Sequence, residues 1–215
     1  MKDIILAGFA ASGKGTQSTL LLDHFGEKMK YFETWGILRS LQSTNNAIGN
    51  HLKDLTANGI LVKDEIVSGL WWVFMQTLEE GDMILGDGCF RRIGQTQQII
   101  AQLEASGRKF IVVELVIPEK EIRVRLANRK LCKACWAAFN TQVHGDLERC
   151  PYCWGELYRR NDDLDETSIQ KRISEFKENT LPTLDRLKEK GYLLQIDGTQ
   201  PIEKVFEEIL EIMGA

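Results

Sequence analysis

The sequence has no apolar stretch approaching the roughly 20 residues that cross a bilayer; a run such as Phe110 to Val113 is stopped by Glu114. No basic segment followed by an apolar core opens the chain, so no export signal is read and a cytoplasmic location is expected. Positive charge is not in excess. The 27 Lys and Arg against 31 Asp and Glu give a formal net charge of -4, which speaks against a surface built for non-specific nucleic-acid binding. Internal repeats and low-complexity segments are missing too, which excludes arrays and disordered linkers. Cysteine is scarce and unevenly placed: of five, four stand as Cys132-x-x-Cys135 and Cys150-x-x-Cys153 with fourteen residues between the pairs, and Cys89 stands alone. In a reducing compartment that spacing reads as a metal site before it reads as disulfides.

What is present is an ordinary globular composition, 43% hydrophobic and 27% charged, in 215 residues that suit one domain carrying inserts. Compact apolar runs at Asp3 to Ala7, Met83 to Gly86, Phe110 to Val116 and Tyr192 to Ile196 read as buried strands. Amphipathic segments at Lys14 to His24, Asp64 to Leu78, Arg92 to Ser106, Glu119 to Asn128 and Glu166 to Lys190 read as helices, the last bent or divided at Pro182. The alternation predicts an α/β fold, a parallel sheet flanked by helices with its ligand site at the carboxyl ends of the strands. Residues 35 to 60, helical and polar, and residues 130 to 160, which carry the paired cysteines, break the alternation and read as inserts.

The stretch "GFAASGKGTQ", Gly8 to Gln17, follows the first strand and opens the first helix. It nearly matches the phosphate-loop pattern G-x-x-x-x-G-K-[ST], with Gly15 at the hydroxyl position and Thr16 one residue late. In that setting loop and helix N–H groups converge on phosphate oxygens, Lys14 adds a positive charge, and Thr16 offers a hydroxyl to Mg²⁺. Asp87 ends a buried strand, where a carboxylate needs a cation or a metal. Arg91 and Gln95 are four apart and share a helical face, one suited to phosphate and the other to a base edge.

The form G-K-G-T-Q resembles the loop of adenylate kinases and their nucleoside monophosphate kinase relatives, and further motifs follow in the family's order. "ETWGILRS" is similar to S-T-G-D-x-L-R, "NGILVKDEIV" to G-x-L-V-x-D-E-L-V, "DGCFRRIGQ" to D-G-F-P-R-T-x-x-Q, "RLANRKLCKAC" to R-L-x-G-R-R-x-C-x-x-C, and "RRNDDLDETSIQKR" to R-x-D-D-x-x-E-T-x-x-x-R with one extra residue before Arg172. The resemblance, to the long-lid, zinc-containing type, implies a phosphate-loop core over 1–30, 61–124 and 164–215. It adds an insert for the acceptor monophosphate over 31–60 and a lid over 125–163. It implies ATP held by Gly8, Ala11, Ser12, Gly13, Lys14, Gly15, Thr16, Arg125, Arg129 and Gln200. AMP is implied at Thr34, Arg39, Val62, Val67, Gly88, Arg91, Gln95, Arg160 and Arg172. Catalysis is implied at Lys14, Asp87, Arg91, Arg129, Arg160 and Arg172, and the protein is implied to be a monomer.

Departures from the pattern carry expectations of their own. Trp35 and Gly36 stand where the family has Gly-Asp, and Trp35 is expected to narrow the acceptor pocket. Cys89, Phe90 and Arg92 replace Phe, Pro and Thr, and Ala10-Ala11 replaces Pro-Gly, so Ala11 carries strain if its φ is positive. Four thiolates from two knuckles suit tetrahedral Zn²⁺ in a closed structural site, with iron as the alternative; His144 reads as a surface residue. The expected reaction is reversible transfer from MgATP to AMP. The alternatives are a kinase with altered acceptor choice, such as UMP or CMP, and a zinc-containing nucleotide-binding protein with little turnover.

Overall fold

The computed structural model describes residues 1–57 and 62–215. The chain runs through β1 (Asp3–Ala7), α1 (Lys14–Phe25), β2 (Met29–Glu33), α2 (Thr34–Gln42), α3 (Ala47–Ala57), α4 (Asp64–Met75), β3 (Met83–Asp87), α5 (Ile93–Ala105), β4 (Phe110–Val116) and α6 (Glu119–Ala127). There follow β5 (Arg129–Cys132), β6 (Ala138–Asn140), α7 (Thr141–His144), β7 (Leu157–Tyr158), α8 (Glu166–Glu175), α9 (Leu181–Glu189), β8 (Leu193–Asp197) and α10 (Ile202–Met213). Among the described residues the central sheet has five strands in the order β2-β3-β1-β4-β8, every pairing parallel. The expected α/β architecture is therefore present.

Alternation along the strands divides the core into two layers. Ile5, Ala7 and Val112 face Phe32, Trp71, Ile99 and Leu184, whereas Ile4, Leu6, Ile111 and Val113 face Leu21, Val205, Ile209 and Met213. Trp71 is fully buried while its neighbour Trp72 is exposed. Among the described residues no helix is long and apolar enough to cross a membrane.

Several elements differ from the sequence expectation. The edge strand β2 was not visible as an apolar run because only Met29 and Phe32 are buried; Lys30 faces solvent and pairs with Asp82 at 3.7 Å, as suits a strand edge. It takes residues 31–33 of the expected insert into the sheet. The long helix is not broken at Pro182. It passes through a five-residue π-helical turn, Phe176–Thr180, and Pro182 sits in the first turn of α9, where a missing N–H costs nothing. The amphipathic α10 went unexpected although Val205, Ile209 and Met213, four apart, mark its buried face.

Residues 129–158 form a small antiparallel sheet, β6-β5-β7, over a buried core of Cys132, Phe139, Cys150 and Leu157, with Ala137 and Leu147 packed against it. So small a core does not hold an insert firmly by burial alone.

Candidate active site and metal centre

The carboxyl ends of β1, β2 and β3 bring the glycine loop, Glu33-Thr34 and Asp87-Gly88 to one crevice. The loop has the backbone such a cradle demands. Gly8 and Gly13 have φ of 127° and 111°, and a Cβ at Gly8 would lie 2.6 Å from the Leu115 carbonyl oxygen. Ala11 adopts φ 64°, so the strain expected at this position is present, of order 1–2 kcal/mol for an L-residue. Lys14 Nζ donates to the carbonyls of Gly8 and Phe9, both at 2.9 Å, curling over the loop. Ser12 Oγ is buried without a hydrogen-bond partner.

Above the loop stand the arginines. Asp163, 1% exposed, accepts from Arg129 Nε and Nη2 at 2.8 and 2.7 Å and from Arg172 Nη1 at 2.8 Å. The extra residue before Arg172 therefore does not carry it out of the site. Arg160 is braced by Asp162. Arg91, half-buried, makes no ion pair among the described residues; its guanidinium carbon lies 5.4 Å from the centre of the Trp35 ring.

Burial lowers the pKa of Lys14, an effect that Asp87 opposes and Arg91 and Arg129 reinforce. Burial lowers Arg91 and Arg129 as well, opposed in Arg91 by Glu175 and in Arg129 by Asp163. It raises Asp87, which the Lys14 charge chiefly holds down. Around the five cations Lys14, Arg91, Arg129, Arg160 and Arg172 stand the carboxylates of Asp87, Asp162 and Asp163, with Glu175 beside Arg91 and Glu33 acting on Lys14. Lys14, Arg91 and Arg129, whose charged forms burial disfavours, are stabilised when a polyanion enters.

Thr34, Val62, Val67, Gly88, Arg91 and Gln95 line one cavity, as the sequence reading expected. Residues 58–61 of the segment expected to line it lie outside the described residues. The sequence reading missed Leu38, Glu175 and Asn179 on its wall; the 3.6-residue spacing of α2 and α8 was the available signal. Trp35 also lines this cavity, whose volume is about 40 Å³, little more than one water molecule occupies. Arg39 stands beside the cavity, where Glu33 accepts from its Nη2 at 3.4 Å.

Two expected donor-side residues are engaged by the protein. Arg125 donates to the Ser12 carbonyl at 3.3 Å, to the Gly198 carbonyl at 2.9 Å and to Glu121 at 2.9 Å. Gln200 donates to the Asp197 carbonyl at 3.3 Å and to Glu208 at 3.1 Å. Thr16 is half-buried, and among the described residues its hydroxyl makes no hydrogen bond.

The four paired cysteines converge, their sulfurs all within 4.8 Å of one another. Cys132 and Cys153 are 3.4 Å apart and Cys135 and Cys150 3.5 Å, near the edge of about 3.8 Å that a tetrahedron of 2.3 Å zinc–sulfur bonds requires. The N–H groups of Ala134 and Cys135 point at Cys132 Sγ, at 3.3 and 3.5 Å. A Cβ on Gly155 would sit 2.7 Å from that sulfur, so glycine is required where the chain closes over the cluster. The set could hold a metal ion. His144 is exposed, outside the cluster, and bonded to the backbone of Asn140.

Fold and site together define a parallel-sheet protein of the phosphate-loop class, with a glycine loop facing a cluster of arginines. A family model described as adenylate kinase matches residues 6–192. The adenylate kinase of Archaeoglobus fulgidus is 32% identical over 217 residues, covering 98% of this chain and 97% of the relative. That of Caldicellulosiruptor bescii is 32% identical over 98% of both chains, and that of Clostridioides difficile 31% identical over 99% of this chain and 98% of the relative. The chain belongs to the adenylate kinase family.

Proposed function

We propose that this protein transfers the terminal phosphoryl group of MgATP to AMP, reversibly, giving two ADP. One observation carries the reading: Lys14, Arg91 and Arg129, all disfavoured by burial, converge with Asp87 over a glycine loop at the end of a parallel sheet.

Phosphoryl transfer passes through a loose transition state whose charge spreads over the transferring oxygens, so positioning and cations supply the catalysis. Gly8 to Thr16 cradle the donor phosphates, and Lys14 leaves its two loop carbonyls for a phosphate oxygen. Arg129, Arg160 and Arg172, held in place by Asp162 and Asp163, surround the transferring group, and Arg91 and Arg39 receive the acceptor phosphate. Arg125 has its edges engaged, so its flat face is what remains to stack on the donor base. Thr34, Val62, Val67, Gly88 and Gln95 receive the acceptor base. Thr16 and Asp87, the latter without an ion pair among the described residues, would hold the Mg²⁺ that arrives with ATP, where it neutralises phosphate charge.

Cys132, Cys135, Cys150 and Cys153 hold Zn²⁺ as a structural ion that fixes residues 125–163 as a lid. Residues 34–57 serve as the acceptor-side insert, and 1–33, 62–124 and 164–215 as the core. Closure of both inserts keeps water, a competing acceptor, from the phosphoryl group. We read the protein as a cytoplasmic monomer.

The test separates binding from transfer. Lys14→Ala and Arg91→Ala are assayed for ATP binding and for ADP formation from ATP and AMP. The reading predicts that ADP formation falls by at least about 10², the scale of losing one transition-state contact, while Arg91→Ala still binds ATP. Wild-type protein that binds ATP tightly yet transfers nothing would establish a binding protein instead.

A further inference from the structure

We infer that Trp136 is a positioning residue for the acceptor side, a part of the metal-bearing insert that holds Arg39 of α2 in its phosphate-binding attitude. The inference rests on the acceptor-phosphate role proposed for Arg39.

Each metal knuckle ends in a tryptophan with left-handed backbone, Trp136 after Cys135 at φ 63° and Trp154 after Cys153 at φ 60°. A bulky residue there is strained, and the strain is shared by both knuckles, so the backbone alone does not explain either side chain. Their surroundings differ. Trp154 is 78% exposed, whereas Trp136 is 38% exposed and places its ring 4.5 Å from the guanidinium carbon of Arg39. Cys135 and Trp136 face Tyr31, Glu33, Ile37 and Leu41 across a groove between the two inserts.

Arg39 is held from two directions, at an edge by Glu33 and at its face by Trp136. Glu33 folds back over the first turn of α2, accepting from the Trp35 and Gly36 N–H groups and from Arg39 Nη2. Glycine at 36 permits this, since a Cβ there would lie 2.4 Å from Glu33 Oε2. Trp136 takes the flat face of the guanidinium by cation–π contact. Nε of Arg39 is buried and without a hydrogen-bond partner. Stacking uses the face of an arginine and phosphate uses its edge, so both contacts are compatible in one geometry. Seating the metal-bearing insert thereby sets the acceptor-side cation.

The test compares Trp136→Ala, Trp136→Phe, Trp154→Ala and Arg39→Ala in the full-length metal-loaded protein, with metal content measured for each. KM is determined separately for AMP and for ATP. Trp136→Ala is expected to raise KM for AMP roughly two- to tenfold, the range of a partly exposed cation–π contact, with KM for ATP and metal content unchanged. Trp136→Phe restores most of the effect, and Trp154→Ala matches wild type. Equal effects of Trp136→Ala and Trp154→Ala would overturn the inference, as would a fall in KM for AMP, which would mean that the indole sequesters Arg39. If Arg39→Ala raises KM for AMP but Trp136→Ala does not, only this inference fails; if Arg39→Ala changes nothing, the phosphate role of Arg39 fails and this inference with it.

Discussion

Asp163→Asn removes the charge on which two arginines of the site converge. The aspartate is 1% exposed and takes three N–H donors, two from Arg129 and one from Arg172. Asparagine keeps one oxygen and turns an NH₂ group toward the other donors. Leaving a buried partner charge uncompensated costs about 3–5 kcal/mol. The lower end applies, because the Arg129 and Arg172 side chains are 15% and 26% exposed and Asp162 remains 3.8 Å from Arg172. About 3 kcal/mol lowers Tm by roughly 6–12 °C in a domain of this size. ATP brings the anion that the variant lacks, so thermal unfolding in saturating ATP should show less than half of that deficit. Misplacing Arg129 by an ångström should also lower kcat by about 10². A deficit below about 1 kcal/mol without nucleotide would refute the bracing role, and a deficit that ATP leaves unchanged would refute the assignment of these arginines to phosphate.

Burial holds the carboxyls of Asp87 and Glu33 above their ordinary values, with Lys14 and Arg39 respectively opposing. Such a group binds more protons folded than unfolded, so its contribution to stability grows as pH falls toward the ordinary carboxylate value and is lost as pH rises through the folded pKa. Asp87 must be ionised to serve Mg²⁺, so the acid limb of kcat/KM should lie above the ordinary carboxylate range and move to lower pH as Mg²⁺ rises; a limb indifferent to Mg²⁺ would count against Asp87. Metal analysis should find one zinc per chain, and a strong chelator should lower Tm and activity together, because residues 129–158 have too small a core to stay folded without it. Gly155→Ala should weaken metal retention through its clash with Cys132 Sγ, read by chelator competition; unchanged retention would contradict the tight closure. Trp35→Gly should lower KM for AMP by opening a cavity of about 40 Å³, and a rise would show that the indole serves as a platform for the base.

Much of this was legible in the sequence because it was local. The strand, loop and lysine of Gly8 to Thr16 and the two cysteine knuckles each lie within a few residues and form where the pattern implied. By contrast, α5 begins at Ile93, so Arg91 precedes the helix whose face it was expected to share with Gln95 and meets it only as a wall of the same cavity. Strands buried on both faces were readable as apolar runs. The edge strand Met29–Glu33 was not, since one side of an edge is wet and its charges mimic a loop. What stayed hidden was partnership across the fold: Asp163 joining Arg129 and Arg172, Arg125 tied to the carbonyls of Ser12 and Gly198, and Trp136 reaching Arg39. A sequence displays these charges and rings but not which of them meet.

The most direct test of the account is ADP formation from ATP across a panel of AMP, UMP, CMP and GMP as acceptors. The account predicts transfer to AMP above all others, two ADP formed per ATP consumed, and reversal when ADP alone is supplied. Preference for UMP or CMP would contradict the acceptor assignment at Gln95 and Trp35, and the absence of transfer to any acceptor would contradict the phosphotransferase itself.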